Sequence, residues 1–184
     1  MSLSRELRIA FVAVCFVVLV YFVLGSCLPN TWSVQSQQVV PGAPERVLPM
    51  LSDFHSWQQW TTVAGTTRSD TKVEVEGDKG TVGHLLRWRS DANEAALRLA
   101  VVRSDGVDYE FLSRLGKDSE LRVRGRGTLT AVATDGGSTV TWRDESMLDG
   151  LTERWFAWFG AQQETARQFQ EASLSKLRLQ LEAK

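Results

Sequence analysis

The amino-acid sequence predicts an α+β fold in which an antiparallel sheet of about seven strands packs against a long C-terminal helix. Three observations support this. Apolar and polar residues alternate from Thr71 to Met147, which is typical of strands with one buried face. Residues Leu151 to Lys184 contain no proline and carry an apolar stripe at helical spacing. An uncharged apolar run from Ile9 to Leu28 precedes both and predicts a transmembrane or signal helix.

The apolar run is long enough to cross a bilayer, because about 20 helical residues span ~30 Å. Arg5 and Arg8 precede it, and the next basic residue is Arg46. The positive-inside rule then places the N-terminus in the cytosol and exports the rest of the chain. We therefore expect residues 1–30 to be a membrane anchor or lipoprotein signal. Residues 31–184 should form one domain on the extracytoplasmic side of the cell membrane.

The end of the leader leaves three fates open. Leu24-Gly25-Ser26-Cys27 is similar to a bacterial lipobox, in which the chain is cut before the cysteine and the thiol is lipidated. The alternatives are an uncleaved anchor and plain secretion. The anchor and the lipoprotein both leave the domain tethered to a membrane.

The elements of the domain follow in order. Trp32 to Val40 alternates weakly and predicts a strand, which Pro41-Gly42 ends. Pro44 then opens a short helix. Ser52 or Asp53 can cap a second short helix, whose apolar face carries three aromatic residues, Phe54, Trp57 and Trp60.

Six further strands are predicted as a meander, separated by breaks that contain Gly or Asp: GDKG, SDAN, SDG, GKDS and TDGG. On the polar face, Asp108 and Glu110 precede a basic strand that carries Arg122, Arg124 and Arg126. Opposite charges on neighbouring strands can face each other. The arginines are interpreted as a solvated face, with a patch for an anionic lipid or ligand as the alternative. The last segment should bury a stripe made of Ala166, Phe169, Leu174, Leu177 and Leu181.

Composition excludes several classes of function. The net charge of −1 provides no overall basic footprint for nucleic acid. Both cysteines, Cys15 and Cys27, lie in the leader, so the domain can form no disulfide or Cys–His nucleophilic site. Two histidines without cysteine do not make a typical transition-metal site. GDKG and TDGG fit hairpin turns rather than phosphate loops, so we expect no metal and no cofactor.

The order strand, two small helices, meander and long helix resembles the helix-grip fold of the START-like superfamily, also called SRPBCC or polyketide cyclase/dehydrase. It is most similar to bacterial members with an N-terminal membrane segment. The matching segments are Pro44-Glu45-Arg46-Val47, Leu51-Ser52-Asp53 with Trp57 and Trp60, Gly83 with Trp88, Gly136 to Trp142, and Leu174 to Leu177. The segments occur in the order and at the spacing of that family. Together they extend over nearly the whole chain after the leader.

The resemblance implies a pocket for a hydrophobic molecule, such as a lipid or polyketide, between sheet and helix. Strand parity and helix position nominate its ligand-binding residues: His84, Leu86, Trp88, Leu99, Tyr109, Phe111, Trp142, Asp144, Trp155 and Phe159, with Leu97 and Val140 beside them. The leading hypothesis is a membrane-tethered binding or carrier module. The alternatives are a polyketide cyclase/dehydrase-like enzyme and a protein-interaction module with a filled core.

Two features of this domain have competing interpretations. The stretch SDFHSWQQW, residues 52–60, is interpreted as structural, with Trp57 and Trp60 closing one end of the fold and a pocket rim as the alternative. His84 and Asp144 are polar residues on the apolar face, so each needs a partner, which can be the other one, water or a ligand hydroxyl. Such a pair could perform acid–base chemistry. No residue is assigned a catalytic role.

Overall fold

The computed structural model describes residues 5–61, 71–91, 93–115 and 120–183. The helices are α1 (Arg5–Cys27), α2 (Pro44–Leu51), α3 (Phe54–Trp60), α4 (Leu151–Trp158) and α5 (Ala161–Glu182). The strands are β1 (Thr31–Val40), β2 (Lys72–Glu76), β3 (Leu85–Arg89), β4 (Asn93–Arg103), β5 (Gly106–Leu115), β6 (Arg122–Thr134) and β7 (Gly137–Met147). The predicted break GKDS, residues 116–119, and the final lysine lie outside the described residues.

The seven strands form one antiparallel sheet in the order β1-β7-β6-β5-β4-β3-β2. Six strands therefore follow one another as a meander, and β1 closes the far side by pairing with β7. Helix α5 packs along the sheet near β1, while α2 and α3 cover one end. This is the α+β helix-grip fold that the sequence predicts, so the predicted fold class is confirmed.

The C-terminal segment is two helices rather than one. Gly160 separates α4 from α5 and has a φ of 76°. This left-handed conformation is readily adopted by glycine and ends the first helix there. Helix α5 buries Leu174, Leu177 and Leu181 of the predicted stripe, together with the polar residues Gln170 and Ser173.

Two β-bulges change the parity that simple alternation predicts. The register between β4 and β5 shifts between Leu99 and Val101, and Val101 is 42% exposed although it lies two residues after the buried Leu99. A second shift lies on the next pair, where Phe111 faces Gly125 but Leu112 faces Val123. A bulge adds one residue to one strand and bends the sheet locally. The sheet therefore curves around α5 rather than lying flat beneath it.

An aromatic cluster fills the end of the fold under α3. Phe54, Trp57 and Trp60 are each 0% exposed. Trp57 packs against both Trp60 and Trp142 with ring centroids 5.3 and 5.7 Å apart. Its indole Nε1 donates to the backbone oxygen of Leu51 at 2.8 Å, so the polar atom of this buried side chain is satisfied. The three aromatic side chains of residues 52–60 are thus part of the packed core.

The N-terminus of α3 is held from two sides. Asp53 is the N-cap, and its Oδ1 accepts from the backbone N–H of His55 at 2.9 Å. The buried His84 ring accepts from the backbone N–H of Phe54 through Nε2 at 3.0 Å. Its Nδ1 lies 3.1 Å from the backbone oxygen of Glu76, which fixes the proton on Nδ1. These bonds satisfy two N–H groups that the helix itself leaves free.

The outer face of the sheet carries ion pairs whose partners differ from the predicted ones. Glu110 lies opposite Arg126 in register, but its carboxylate is 2.5 Å from Arg98 of β4. Asp108 pairs with Arg103 and Arg124 with Asp149. Asp108 and Glu110 therefore form these ion pairs with the preceding strand, while Asp108 also accepts a hydrogen bond from Thr128 of β6 at 2.9 Å. Exposed pairs of this kind stabilise a protein by only about 0–1 kcal/mol each.

Replacing Asp53 with Ala should lower the free energy of unfolding by about 1 kcal/mol, because the N–H of His55 loses its acceptor. Asp53→Asn is the matched control, since its amide oxygen can still cap α3. Thermal unfolding of the full chain, followed by near-ultraviolet circular dichroism, provides the measurement. An equal loss in both variants would show that the carboxylate acts through its charge and not as a cap.

Candidate functional site

A cavity of about 470 Å³ lies between the concave face of the sheet and helix α5. Most of its wall is aromatic or aliphatic, and aromatic rings come from β1, α3, β3, β5, β7 and α5. Its lining residues are Trp32, Trp57, Thr71, Trp88, Ala95, Leu97, Tyr109, Phe111, Gly125, Arg126, Trp142, Asp144, Glu145, Ser146 and Phe169. The volume falls within the range of small-molecule pockets, about 300–1,000 Å³.

One hydrogen-bonded cluster places polar groups in this apolar wall. The Tyr109 hydroxyl donates to Oδ1 of Asp144, and the Trp142 indole Nε1 donates to the Tyr109 oxygen at 2.8 Å. The same indole lies 3.2 Å from Asp144 Oδ1. Helix α5 contributes the last donor, Gln170 Nε2, which is 2.9 Å from Asp144 Oδ2. Three side chains thus hold the carboxyl group of Asp144 at the cavity surface.

Burial has the largest effect on the pKa values of Asp144 and Tyr109. Removal of water from around the carboxyl group raises the pKa of Asp144 above its ordinary value, although the hydrogen bonds from Tyr109, Gln170 and Trp142 act in the opposite direction. Burial also raises the pKa of Tyr109 well above its ordinary value, and the neighbouring Asp144 adds to that effect. Tyr109 therefore remains protonated and donates to the carboxyl group of Asp144.

The close contact of Tyr109 with Asp144 requires a glycine beneath it. A Cβ atom on Gly127 of β6 would lie 2.1 Å from Tyr109 Cζ and 2.5 Å from Asp144 Oδ1. Glycine inside a strand often marks such an approach. Gly127 faces Asp144 on one side and Tyr109 on the other in the strand register, so its missing side chain leaves the space in which they meet.

Five of the ten nominated ligand-binding residues lie on the cavity wall. They are Trp88, Tyr109, Phe111, Trp142 and Asp144, and Leu97 lies there too. The other five lie elsewhere. Leu86 and Leu99 are 2% and 0% exposed and pack inside the core. His84 holds the start of α3, as described above, and does not meet Asp144, so these two residues form no acid–base pair.

Trp155 and Phe159 lie away from the cavity because α4 does not continue the line of α5. Trp155 stacks on Tyr21 of α1 with ring centroids 5.8 Å apart. Phe159 is 73% exposed. Both positions were nominated on the assumption of one continuous helix, and the turn at Gly160 carries α4 toward α1 instead.

Several residues of the site were missing from the sequence-based set. Gln170 is the clearest, because it is fully buried on the apolar stripe of α5 and reaches Asp144. A polar residue among apolar stripe positions is a signal that could have found it. The glycines of the GRG sequence, Gly125 and Gly127, gave a similar signal within a strand. Ala95 shares the parity of Leu97 in β4, which was a further signal, whereas Trp32 gave none.

A second group of polar side chains lies outside the cavity. Asp53, His55 and His84 each bring one potential metal-ligating atom to within 4.8 Å of the others. Thus two histidines do converge with a carboxylate, which counting residue types could not reveal. His84 Nε2, however, already accepts from Phe54, and Asp53 Oδ1 caps α3. In this arrangement the three side chains act on the start of α3.

Comparison with known proteins identifies the family. The profile of the family described as "polyketide cyclase / dehydrase and lipid transport" matches residues 31–182. The comparison with curated protein sequences gives no match.

Solved structures show the same fold at low sequence identity. Protein MLL2253 from Mesorhizobium loti is 17% identical, with a TM-score of 0.57, over 83% of this chain and 98% of that one. The AHSA1 (SPO3351) protein from Silicibacter pomeroyi is 13% identical, with the same TM-score, over 83% and 99%. DynU16, a protein of the dynemicin biosynthetic locus, is 14% identical, with a TM-score of 0.54, over 82% of this chain and 47% of that one.

The profile covers far more than half of the sequence, and its helix-grip architecture is the one seen here. The chain belongs to the polyketide cyclase/dehydrase and lipid-transport family.

Proposed function

We propose that the protein binds a hydrophobic small molecule or lipid in the cavity between the sheet and α5, and that α1 tethers this binding domain to a membrane. The observation that carries the proposal is the aromatic cavity of about 470 Å³ with one hydrogen-bonded carboxyl group in its wall. A module that merely displayed an interaction surface would need no such space. The family, which includes lipid transport, supports the same class of ligand.

The wall of the cavity indicates the chemistry of the ligand. Trp88, Phe111 and Phe169 offer flat apolar surfaces, so a molecule with rings or acyl chains gains the most from burial there. Among the described residues of the wall, Asp144 has the one carboxyl group that accepts hydrogen bonds from Tyr109, Trp142 and Gln170. A ligand that carries a hydroxyl or amine could donate to it. We expect a mostly apolar ligand with one polar donor group.

The tether rests on the composition and geometry of α1. Its 23 residues have a mean hydropathy of 2.8 over the most apolar window, so it is long and apolar enough to cross a membrane, as a signal sequence would also be. Arg5 and Arg8 at its start favour a cytosolic N-terminus and a domain on the extracytoplasmic side. Only Leu28, Pro29 and Asn30 separate α1 from β1, which keeps the domain close to the lipid.

A second candidate function is a cyclase-like enzyme that acts on a polyketide-like substrate. It is favoured by one observation, the raised pKa of Asp144 at a cavity wall, because a carboxyl group that holds its proton more tightly than usual can act as a general acid or base. The two functions differ in what happens to the ligand. A carrier releases its ligand with unchanged mass, whereas an enzyme releases a changed molecule and loses this ability in an Asp144→Asn variant.

Filling the cavity should abolish ligand retention without unfolding the domain. Ala95 lies on the wall and is half-buried, so Ala95→Phe places a ring in the space meant for the ligand. Native mass spectrometry of the full chain, extracted from membranes, measures the fraction of protein with a bound molecule. We expect this fraction to fall several-fold in Ala95→Phe.

The matched control is Ala133→Phe, an exposed position of β6 outside the cavity, which should retain ligand like the unaltered protein. Equal melting temperatures for both variants would show that the fold is intact. Equal ligand retention in both variants, or no ligand in any preparation, would contradict the proposal.

The pH dependence of the free energy of unfolding should reveal the raised pKa of Asp144. Its pKa in the folded protein lies above the ordinary value of 3.8, so the folded state binds the proton more tightly than the unfolded state. Stability then falls as the pH rises from the unfolded toward the folded pKa, because the carboxyl group must ionise in a place that disfavours its charge.

Asp144→Asn removes this titration and keeps an amide that can bond to Gln170, whose Oε1 has no partner of its own. Chemical unfolding measured from pH 4 upward should therefore show the variant gaining stability relative to the unaltered protein, up to a plateau. A constant difference over this range would mean that the pKa of Asp144 is not raised.

A further inference from the structure

Helix α4 presents an aromatic surface to solvent. Phe156, Trp158 and Phe159 are 60%, 64% and 73% exposed, and they are distributed around the C-terminal end of α4 rather than along one face of it. We refer to these three side chains as the α4 aromatic surface. Scattered exposed apolar residues are normal, but neighbouring large aromatic ones indicate a binding surface.

Several polar groups of α4 have partners within the protein, whereas the buried Nε of Arg154 has none among the described residues. Thr152 Oγ1 is 2.9 Å from the Tyr21 hydroxyl, and Glu153 accepts from the backbone N–H of Asp149 at 2.9 Å. At the other end, the backbone oxygen of Ala157 accepts from Gln163 Nε2 at 2.9 Å. A helix end that enters lipid must satisfy its polar groups internally, since no water is available there. The groups of α4 that have internal partners therefore need none from lipid.

Helix α4 contacts α1 near the C-terminal end of that helix. Tyr21 stacks on Trp155, the Trp155 indole donates to the Tyr21 backbone oxygen at 3.3 Å, and Gly25 is buried against the same indole. The uncharged run of α1 continues to Leu28. At 1.5 Å per residue, Tyr21 lies about 10 Å below the outer end of this run and Gly25 about 5 Å below it.

We propose that the α4 aromatic surface inserts into the outer interface of the bilayer that α1 spans. If α1 crosses the hydrocarbon core, a helix in contact with Tyr21 and Gly25 must lie at the level of the headgroups and upper acyl chains. Aromatic residues, above all Trp, are enriched at this depth, and interfacial helices bury their apolar face by about 5–10 Å. The occupant of the surface is therefore lipid rather than a second protein.

This docking would place one rim of the ligand cavity at the membrane. Trp32 lines the main cavity and also a smaller one of about 160 Å³, whose wall includes Arg154, Ala157 and Trp158 of α4. The crevice beside the α4 aromatic surface therefore adjoins the ligand cavity through Trp32. The inference rests on the tether in the proposed function, and it adds a second point of contact with lipid.

Photo-crosslinking of the full chain tests the docking. p-Benzoylphenylalanine replaces Phe159 in protein reconstituted into dioleoylphosphatidylcholine vesicles, and the intact mass after illumination reports adducts of this lipid. Separate preparations carry the probe at Phe16 of α1 and at Val132, both exposed. Val132 faces Thr139, which pairs with Val39 at the end of β1 far from α1, about 26 Å from Thr31.

We expect the yield of lipid adducts at Phe159 to approach that at Phe16 and to exceed that at Val132 several-fold. A yield at Phe159 no higher than at Val132 would overturn the docking, whether or not Phe16 reacts. A crosslinked dimer through Phe159 would assign the surface to a second copy and would also overturn it. All three positions are exposed, so the probe does not threaten the fold.

The same spectra separate this inference from ligand binding. Retained ligand without lipid adducts at Phe159 would refute the docking and leave the carrier function in place. Lipid adducts at Phe159 without any retained ligand would support the docking and count against the carrier.

Discussion

The indole of Trp142 joins the packed core to the polar end of the cavity. Its ring contacts Trp57, Trp60 and Phe169, with centroids 5.6–5.8 Å apart, and its N–H donates to Tyr109. One face of the indole is therefore fixed by the aromatic cluster, while its polar atom organises the site. Because such a buried ring cannot move without disturbing both, the position of Asp144 depends on core packing beneath α3. Stability and site geometry are thus linked through one side chain.

The fold places a carboxyl group at the cavity wall, in surroundings that disfavour its negative charge. Burial disfavours the charge of Asp144, and the donors Tyr109, Trp142 and Gln170 only partly offset this. Gln170 is contributed by α5, so the helix that closes the cavity also completes its polar cluster. A site of this kind loses a hydrogen bond whenever α5 shifts. The hydrogen bonding of Asp144 therefore depends on the position of α5.

The cavity and the apolar leader lie on the same side of the molecule. Trp32 begins β1 only a few residues after α1, and it lines the cavity from that end. Short connections of this type leave little freedom between a helix and the domain that follows it. Contacts of α4 with Tyr21 restrict that freedom further.

The sequence alone determined the helix-grip class, the meander and the apolar leader, because period-two alternation, turn residues and an uncharged run are local signals. It also placed Trp88, Tyr109, Phe111, Trp142 and Asp144 on one face of the sheet. Only the tertiary structure decided that α4 leaves α5 at Gly160, that bulges turn Val101 outward, and that His84 supports α3 instead of meeting Asp144. These outcomes depend on curvature and on distant partners, which strand parity cannot encode.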